Sequence, residues 1–324
     1  MGNVVVLTTG GTISSMQNKT TGLLRTGSIN GKDLVDACEI GDGIQVQVEE
    51  IFRIPSNQYT FHELMILKEK VESILEQEEV DGVVITHGTD TLEETAYFLN
   101  LVIRQEKPIV ITGSQRSLGN LGSDVQMNLK QAVQVASDRK SRDLGVLVLF
   151  NEEIFTANEV RKFHASNIAG FACGEIGTVD GADVIYSRKP FLRTAYSLQS
   201  PLSPVDLISC SLGSDDKFLE CSIRSGVEGI VLDGFGRGHV PPVLVPKIKE
   251  AADKGIVIVV TSRTLEGRVY PVYDFPGGAQ DLMNQGVILG GSLSAYQARI
   301  KLAVLLSVFQ HDKGRIKQEF NDLA

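Results

Sequence analysis

Short, almost purely apolar runs recur along this 324-residue chain, each about as long as a strand. They are Val4 to Leu7, Val83 to Ile85, Pro108 to Thr112, Gly145 to Phe150, Gly229 to Leu232 and Ile256 to Val260. Runs this short, without polar alternation, predict strands covered on both faces, as in a parallel sheet. The stretches between them have a different period. Glu63 to Glu76 places Leu64, Leu67, Val71, Ile74 and Leu75 at helical spacing, and Glu93 to Arg104 and Val125 to Ala136 read the same way. Strands alternating with helices predict an α/β protein with a mostly parallel, three-layer sheet and right-handed crossovers. The pattern lapses from Ser187 to Pro204, where Pro190, Pro201 and Pro204 interrupt a polar, serine-bearing stretch. We therefore expect a larger amino-terminal domain over residues 1–186, a linker over 187–204 and a smaller α/β domain over 205–324. The smaller domain would include the amphipathic helix Ser294 to Phe309. No internal repeat is visible.

Composition narrows the classes. A hydrophobic content of 42% over this length supports a large core. The formal net charge of −9, with no basic tract, argues against nucleic-acid binding, which needs clustered Lys and Arg. No apolar run approaches the ~20 residues of a membrane-spanning helix. Neither a basic n-region nor a cleavage site is seen at the amino terminus, and Val6 stands where a myristoylation motif wants Ser or Thr. The four cysteines, Cys38, Cys173, Cys210 and Cys221, show no CxxC spacing. They read as reduced, mostly buried thiols, and the expected location is cytoplasmic. The five histidines are scattered without HxxxH or HExxH spacing, so no metal site is expected. His87 is expected to hydrogen-bond within its own turn.

The candidate chemistry lies where two apolar runs end. The first runs into Thr8-Thr9-Gly10-Gly11-Thr12 and the second into Thr86-His87-Gly88-Thr89-Asp90-Thr91. Glycine lets backbone turn sharply against a ligand, and ligands of open α/β sheets collect beyond the carboxyl ends of strands. Taken singly, each element has an ordinary explanation. Thr8 to Thr12 fits a capped strand-to-helix turn, and neither GxxxxGK[ST] nor GxGxxG matches it. Asp90 fits a helix N-cap, although a helix start can also bind an anionic ligand. Lys162, in the stretch from Asn151, fits a solvated surface charge, and Ser56-Asn57 an ordinary turn.

Together they form a pattern. TTGGTISS from Thr8, THGTDTLEETAYFL from Thr86 and TGSQR at Thr112 to Arg116 resemble the bacterial-type asparaginase family. The resemblance continues through Asp124 to Leu129, Asn151, Val160 to Lys162 and SLSAYQARI from Ser292, and so spans nearly the whole chain. It implies a two-domain fold with a smaller, Rossmann-like carboxyl-terminal domain. The implied activity is hydrolysis of a small-molecule amide, L-asparagine, to L-aspartate and ammonia without a cofactor, through a threonine acyl-enzyme. Catalysis would fall to Thr12, as leading candidate nucleophile, with Thr89, Asp90 and Lys162 as a second triad. Ser56, Asn57 and Asp90 would hold the substrate's amino-acid head group. Gly11, Gly88 and Ser114 would line the pocket through main-chain groups, Thr89 with them. The family's assembly implies a homodimer or homotetramer with active sites at the intersubunit interface.

The chain also departs from the family. Leu24 stands where many members carry a tyrosine on the loop after the first motif, and no tyrosine occurs between Ser14 and Asn57. Arg268 to Gly278 offers Asp274 and tyrosines but no glutamate. Gly236-Arg237-Gly238-His239 replaces a Gly-Asn-Gly-Asn element, and Phe171-Ala172-Cys173-Gly174 a Phe-x-Ser-Pro one. These changes fall on lid and rim and leave room for other substrates: glutamine, a D-amide or a modified asparagine. A non-catalytic amino-acid sensor is the alternative of a different class. A tRNA-dependent amidotransferase is disfavoured by the acidic charge and by a first strand that begins at Val4.

Overall fold

A computed structural model describes residues 2–18, 20–41, 43–191 and 195–321. The chain divides into two compact units, Met1–Ala195 and Tyr196–Ala324. The division falls within the expected linker, of which residues 192–194 lie outside the described residues, as do the outermost positions of both expected domains.

The first unit runs β1 (Gly2–Thr8), β2 (Met16–Gln17), β3 (Leu24–Arg25), α1 (Gly31–Asp36), β4 (Ile44–Glu50), α2 (Phe61–Leu75), β5 (Gly82–Thr86), α3 (Leu92–Val102), β6 (Ile109–Thr112) and α4 (Val125–Ser137). It continues with β7 (Val146–Phe150), β8 (Glu153–Thr156), β9 (Arg161–Lys162), β10 (Phe171–Ala172), β11 (Glu175–Asp180) and β12 (Asp183–Tyr186). Eight of these strands form one sheet in the order β12-β11-β8-β7-β6-β5-β1-β4. The pairings from β4 to β7 are parallel, and β8, β11 and β12 extend the sheet antiparallel.

The apolar runs occupy the middle of this sheet because strands there are covered on both sides. Val4, Val6, Val84 and Val110 pack in one core with Leu129, Ala132, Val133 and Ala136 of α4. Val5, Leu7, Val83 and Ile85 point to the opposite face by the two-residue alternation of a strand and are equally buried. Helices α2 and α3 also contact the central strands. The edge strand β4 escaped the sequence pattern because its Gln45, Gln47 and Glu49 alternate with apolar residues. The antiparallel extension was missed for a similar reason: β11 mixes buried and exposed positions over six residues.

The second unit holds a four-stranded parallel sheet in the order β13-β14-β15-β16: Val205–Ser209, Gly229–Gly234, Val257–Ser262 and Ile288–Leu289. Its helices are α5 (Lys217–Ser225), α6 (Val245–Asp253), α7 (Ala279–Asn284), α8 (Ala295–Phe309) and α9 (Lys313–Asn321). Ser294 and Gln297 close a capping box at the start of α8, which packs on β13, β14 and β15. The helix is not amphipathic as expected: Ile300 to Leu306 are buried without a break, because α9 packs on it as well as the sheet.

Candidate active site

The carboxyl ends of four neighbouring strands are stitched together by hydroxyls and main chain. Thr9 donates to the Thr86 carbonyl through both its N–H (3.2 Å) and its hydroxyl (2.7 Å). His87 N–H donates to the Thr112 carbonyl at 2.8 Å, and the Thr112 hydroxyl to the Leu149 carbonyl at 2.8 Å. This holds the two glycine–threonine turns side by side. They touch through their glycines: a Cβ on Gly11 would lie 2.5 Å from Gly88 Cα, and one on Gly88 would lie 2.6 Å from Ser56 Oγ. Gly11 also has φ 82° and ψ −176°, a conformation that side chains essentially forbid. Thus Gly11, Gly88 and Ser56 meet in one place, and only glycine fits at the first two. A Cβ on Gly113 would lie 3.4 Å from Thr89 Cγ2, which brings the Gly113–Ser114 turn in beside them.

Lys162 closes the constellation. Its ammonium donates to Thr89 Oγ1 at 2.9 Å and to Asp90 Oδ1 at 2.7 Å. The Lys162 side chain is only 18% exposed while that of Asp90 is 64% exposed, so the lysine is held and the carboxylate faces outward. The default reading of Lys162 as a solvated charge therefore gives way. So does that of Asp90 as an N-cap: Thr91 occupies the cap of α3, and its hydroxyl instead donates to the Ser56 carbonyl at 3.0 Å. An ammonium against Thr89 Oγ1 stabilises negative charge on that oxygen, which a hydroxyl needs in order to act as base or nucleophile.

Several residues to which the sequence assigned no catalytic role support the site, and the first, His87, hydrogen-bonds within its own turn as expected. His87 is fully buried; burial pulls its pKa down to about 4, so the ring is neutral. Its Nδ1 lies 2.7 Å from the Gly88 carbonyl and must donate to it, which leaves Nε2 to accept from the Thr95 hydroxyl at 3.1 Å. The buried Asp124 carboxylate accepts the N–H groups of Gln115 and Arg116, both at 2.9 Å. One turn on, Asn128 donates to the Gly113 carbonyl (2.9 Å) and accepts from Asn151 N–H (3.0 Å). Asp124 and Asn128 thus fix the Ser114 turn and a left-handed backbone at Asn151 (φ 51°). Both lie in the stretch Asp124 to Leu129 that carries part of the family resemblance, and that, with their i, i+4 spacing, was the advance signal.

Thr12 opens a short 3₁₀ turn, Thr12–Ser14, and its hydroxyl makes no hydrogen bond among the described residues. The hydroxyls of Ser14 and Ser15 both reach back to the Gly11 carbonyl (3.3 and 2.8 Å), which anchors the turn from behind. Ser56 and Ser114 are buried with hydroxyls that have no partner among the described residues. Buried hydroxyls without partners beside the two threonine turns are what a small polar substrate would satisfy. Asn57 is exposed on the 3₁₀ turn Ser56–Gln58, and no hydrogen bond joins it to the other site residues. Leu24 lies on an exposed two-stranded hairpin opposite Gln17. In the second unit, His239 packs edge-on against Tyr273 and Phe275 (5.2 and 5.0 Å between centroids), and burial lowers its pKa.

Two family models match, "Asparaginase, N-terminal" over residues 3–192 and "Glutaminase/Asparaginase C-terminal domain" over 204–320. The protein class defined by this fold and site is a two-domain α/β enzyme of the amidohydrolase kind. More narrowly, the chain belongs to the asparaginase family. It is 43% identical over 320 residues to an L-asparaginase of Bacillus licheniformis, covering 98% of both chains. It is 32% identical over 326 residues to a glutaminase-asparaginase of Pseudomonas aeruginosa, covering 97% of this chain and 88% of the relative. A third relative, from Haemophilus influenzae, is 31% identical over 331 residues and covers 99% and 93%.

That third relative is named a probable periplasmic L-asparaginase, and it overturns the expectation of a cytoplasmic location. The expectation leaned on thiol chemistry, and thiols decide little in a fold held by buried apolar cores rather than by disulfides. They are also not mostly buried. Cys38 and Cys210 are buried, with burial pushing their pKa up to about 12 and about 11, whereas Cys173 and Cys221 are exposed. Among the described residues no helix is long and apolar enough to cross a membrane.

Proposed function

We propose that this protein hydrolyses L-asparagine to L-aspartate and ammonia through a threonine acyl-enzyme. The observation that carries the reading is the hydrogen-bonded set Lys162–Thr89–Asp90 on a turn interlocked with Gly11–Thr12, in a chain of the asparaginase family. Thr12 Oγ1 attacks the carboxamide carbon, its proton passes to the departing nitrogen, and ammonia leaves as the C–N bond breaks. Water then attacks the ester on Thr12, releasing aspartate and restoring the hydroxyl. Thr89, polarised by Lys162, or a water held on it, serves this second step. Asp90, whose second oxygen makes no hydrogen bond among the described residues, pairs the substrate ammonium. Ser56 and Asn57 hold the rest of the head group, while Gly11, Gly88 and Ser114 line the pocket through main-chain groups.

In this reading residues 1–186 are the catalytic domain, joined through 187–204 to a smaller domain over 205–324. The protein works as a homodimer or homotetramer with its sites at the intersubunit interface. Light scattering tests the assembly: a monomer would contradict it.

Thr12→Val and Thr89→Val, assayed separately for ammonia release, test the chemistry. Each is expected to lower kcat at least ~100-fold, the scale of a lost nucleophile or proton-transfer partner, with L-aspartate binding retained. Ammonia release unchanged in Thr12→Val rules out Thr12 as the nucleophile. A second reading, hydrolysis of glutamine as well, is favoured by the relative named glutaminase-asparaginase. Turnover of asparagine no faster than that of glutamine would support it over the first.

A further inference from the structure

Lys162 is gripped at its tip and at its backbone by a single stretch of chain. The strand that carries it, Arg161–Lys162, is two residues long and, among the described residues, pairs only with Phe171 and Ala172. A two-stranded ribbon of that length is not stable by itself. On one side its ladder bond runs from Phe163 N–H to the Gly170 carbonyl at 2.8 Å. The Lys162 N–H turns the other way and donates to the carboxylate of Glu93, 69 residues earlier in the chain. Thr89 and Asp90 take the ammonium, and Glu93, in the next turn, takes the backbone.

A carboxylate in the first turn of a helix usually answers the helix dipole from an exposed position. Glu93 differs, being only 8% exposed. Burial raises its pKa, while the bond from Lys162 N–H and the charges of Arg161 and Lys162 favour the ionised form. Desolvating a carboxylate is costly unless it is hydrogen-bonded and paired. The Lys162 N–H and the charges of Arg161 and Lys162 offset that cost for Glu93, and the bond it accepts fixes the chain direction at Lys162. A lysine on a free strand would distribute its ammonium over many rotamers, whereas a fixed backbone leaves its long stem one short path to Thr89 and Asp90.

We propose that Glu93 is a positioning residue of this site: it clamps the Lys162 backbone and thereby delivers the ammonium to Thr89 and Asp90. This rests on the reading that Lys162 serves amide hydrolysis. Glu93→Leu removes the acceptor at similar size, and Glu93→Gln keeps an amide oxygen that can accept the same N–H. Two readouts apply to the intact protein. The first is acylation of lysine amines by acetic anhydride, followed by mass spectrometry at Lys162 with Lys217, 81% exposed, as internal reference. The second is kcat against KM for asparagine.

Glu93→Leu is expected to raise Lys162 labelling at least ~5-fold and to lower kcat ~30–100-fold with KM within ~3-fold, the scale of a misplacement of about 1 Å. Glu93→Gln is expected to recover most of both. In a Lys162→Met background, Glu93→Leu should cost no further kcat. Unchanged labelling and kcat in Glu93→Leu, or an equal loss in the Lys162→Met background, overturns the proposal. Should Glu93→Leu fail to fold, Glu93→Asp, which withdraws the carboxylate by about one methylene, takes its place under the same criteria. A wild-type protein that releases no ammonia overturns the activity reading, and Lys162 labelling still judges the clamp.

Discussion

Replacing Gly11 by alanine tests whether the two threonine turns are locked together. The new methyl carbon would lie 2.5 Å from Gly88 Cα and 2.6 Å from Gly88 N, both backbone atoms with no side-chain freedom to yield. Ordinary carbon contacts lie near ~3.5–4.0 Å, so the turns must part by about 1 Å. Such overpacking costs ~2–3 kcal/mol. The φ of 82° with ψ of −176° adds ~1–2 kcal/mol for a residue with a Cβ. The sum is ~4 kcal/mol, a large share of the ~5–15 kcal/mol that holds a domain together.

Other glycines separate the two contributions. Gly88→Ala carries the contact alone, its Cβ 2.6 Å from Ser56 Oγ. Gly43→Ala carries the conformation alone, with φ 104° and nothing within 4 Å. Gly41→Ala carries neither. Urea unfolding should rank the losses Gly11, then Gly88, then Gly43. Gly41→Ala should be neutral or stabilised by up to ~1 kcal/mol through the unfolded chain. With a slope of ~3 kcal/mol/M the Gly11 midpoint falls by more than ~1 M. A Gly11→Ala protein as stable as Gly41→Ala would refute the interlocked turns.

Two further predictions concern the support around the site. Asp124→Ala strips the partner from the N–H groups of Gln115 and Arg116 and should cost ~3 kcal/mol in urea unfolding, with KM for asparagine raised as the Ser114 turn loosens; stability within 0.5 kcal/mol of wild type, about the effect of an ordinary surface change, would contradict that role. His87 titrates near 4 when folded and near its ordinary ~6.5 when unfolded, so as pH falls from about 6.5 to about 4 the unfolded chain takes up a proton that the folded one refuses. Stability should drop over that window by ~3 kcal/mol more in wild type than in His87→Gln, and parallel pH–stability curves would show that His87 is not held neutral.

Periodicity placed the central strands and the helices α2 and α4 because burial on both faces of a strand, or along a helical stripe, writes itself into local residue order, whereas α3 and α8, buried over most of their surface, showed as apolar segments of helical length. Strand β4 and the pair β9–β10 escaped because what holds them is not local. One is an edge whose outer positions tolerate polar residues, and the other is two residues fastened by a carboxylate 69 positions away.

The candidate site divides in the same way. From the sequence alone came the glycine–threonine turns, the identity of Asp90 and Lys162, and the family whose models match the chain. Only the tertiary structure decided that Lys162 is a held ammonium rather than a surface charge, and that Asp90 is an ion-pair partner rather than a cap. It likewise showed that Glu93 accepts the Lys162 N–H and that Asp124 and Asn128 hold the Ser114 turn, whereas the hydrogen bond of His87 within its own turn was already expected from the sequence. The physical reason is that residue type and spacing set which groups a turn can present. The partner that desolvates, charges or aims such a group arrives from strands and helices distant in sequence, and folding alone brings them together.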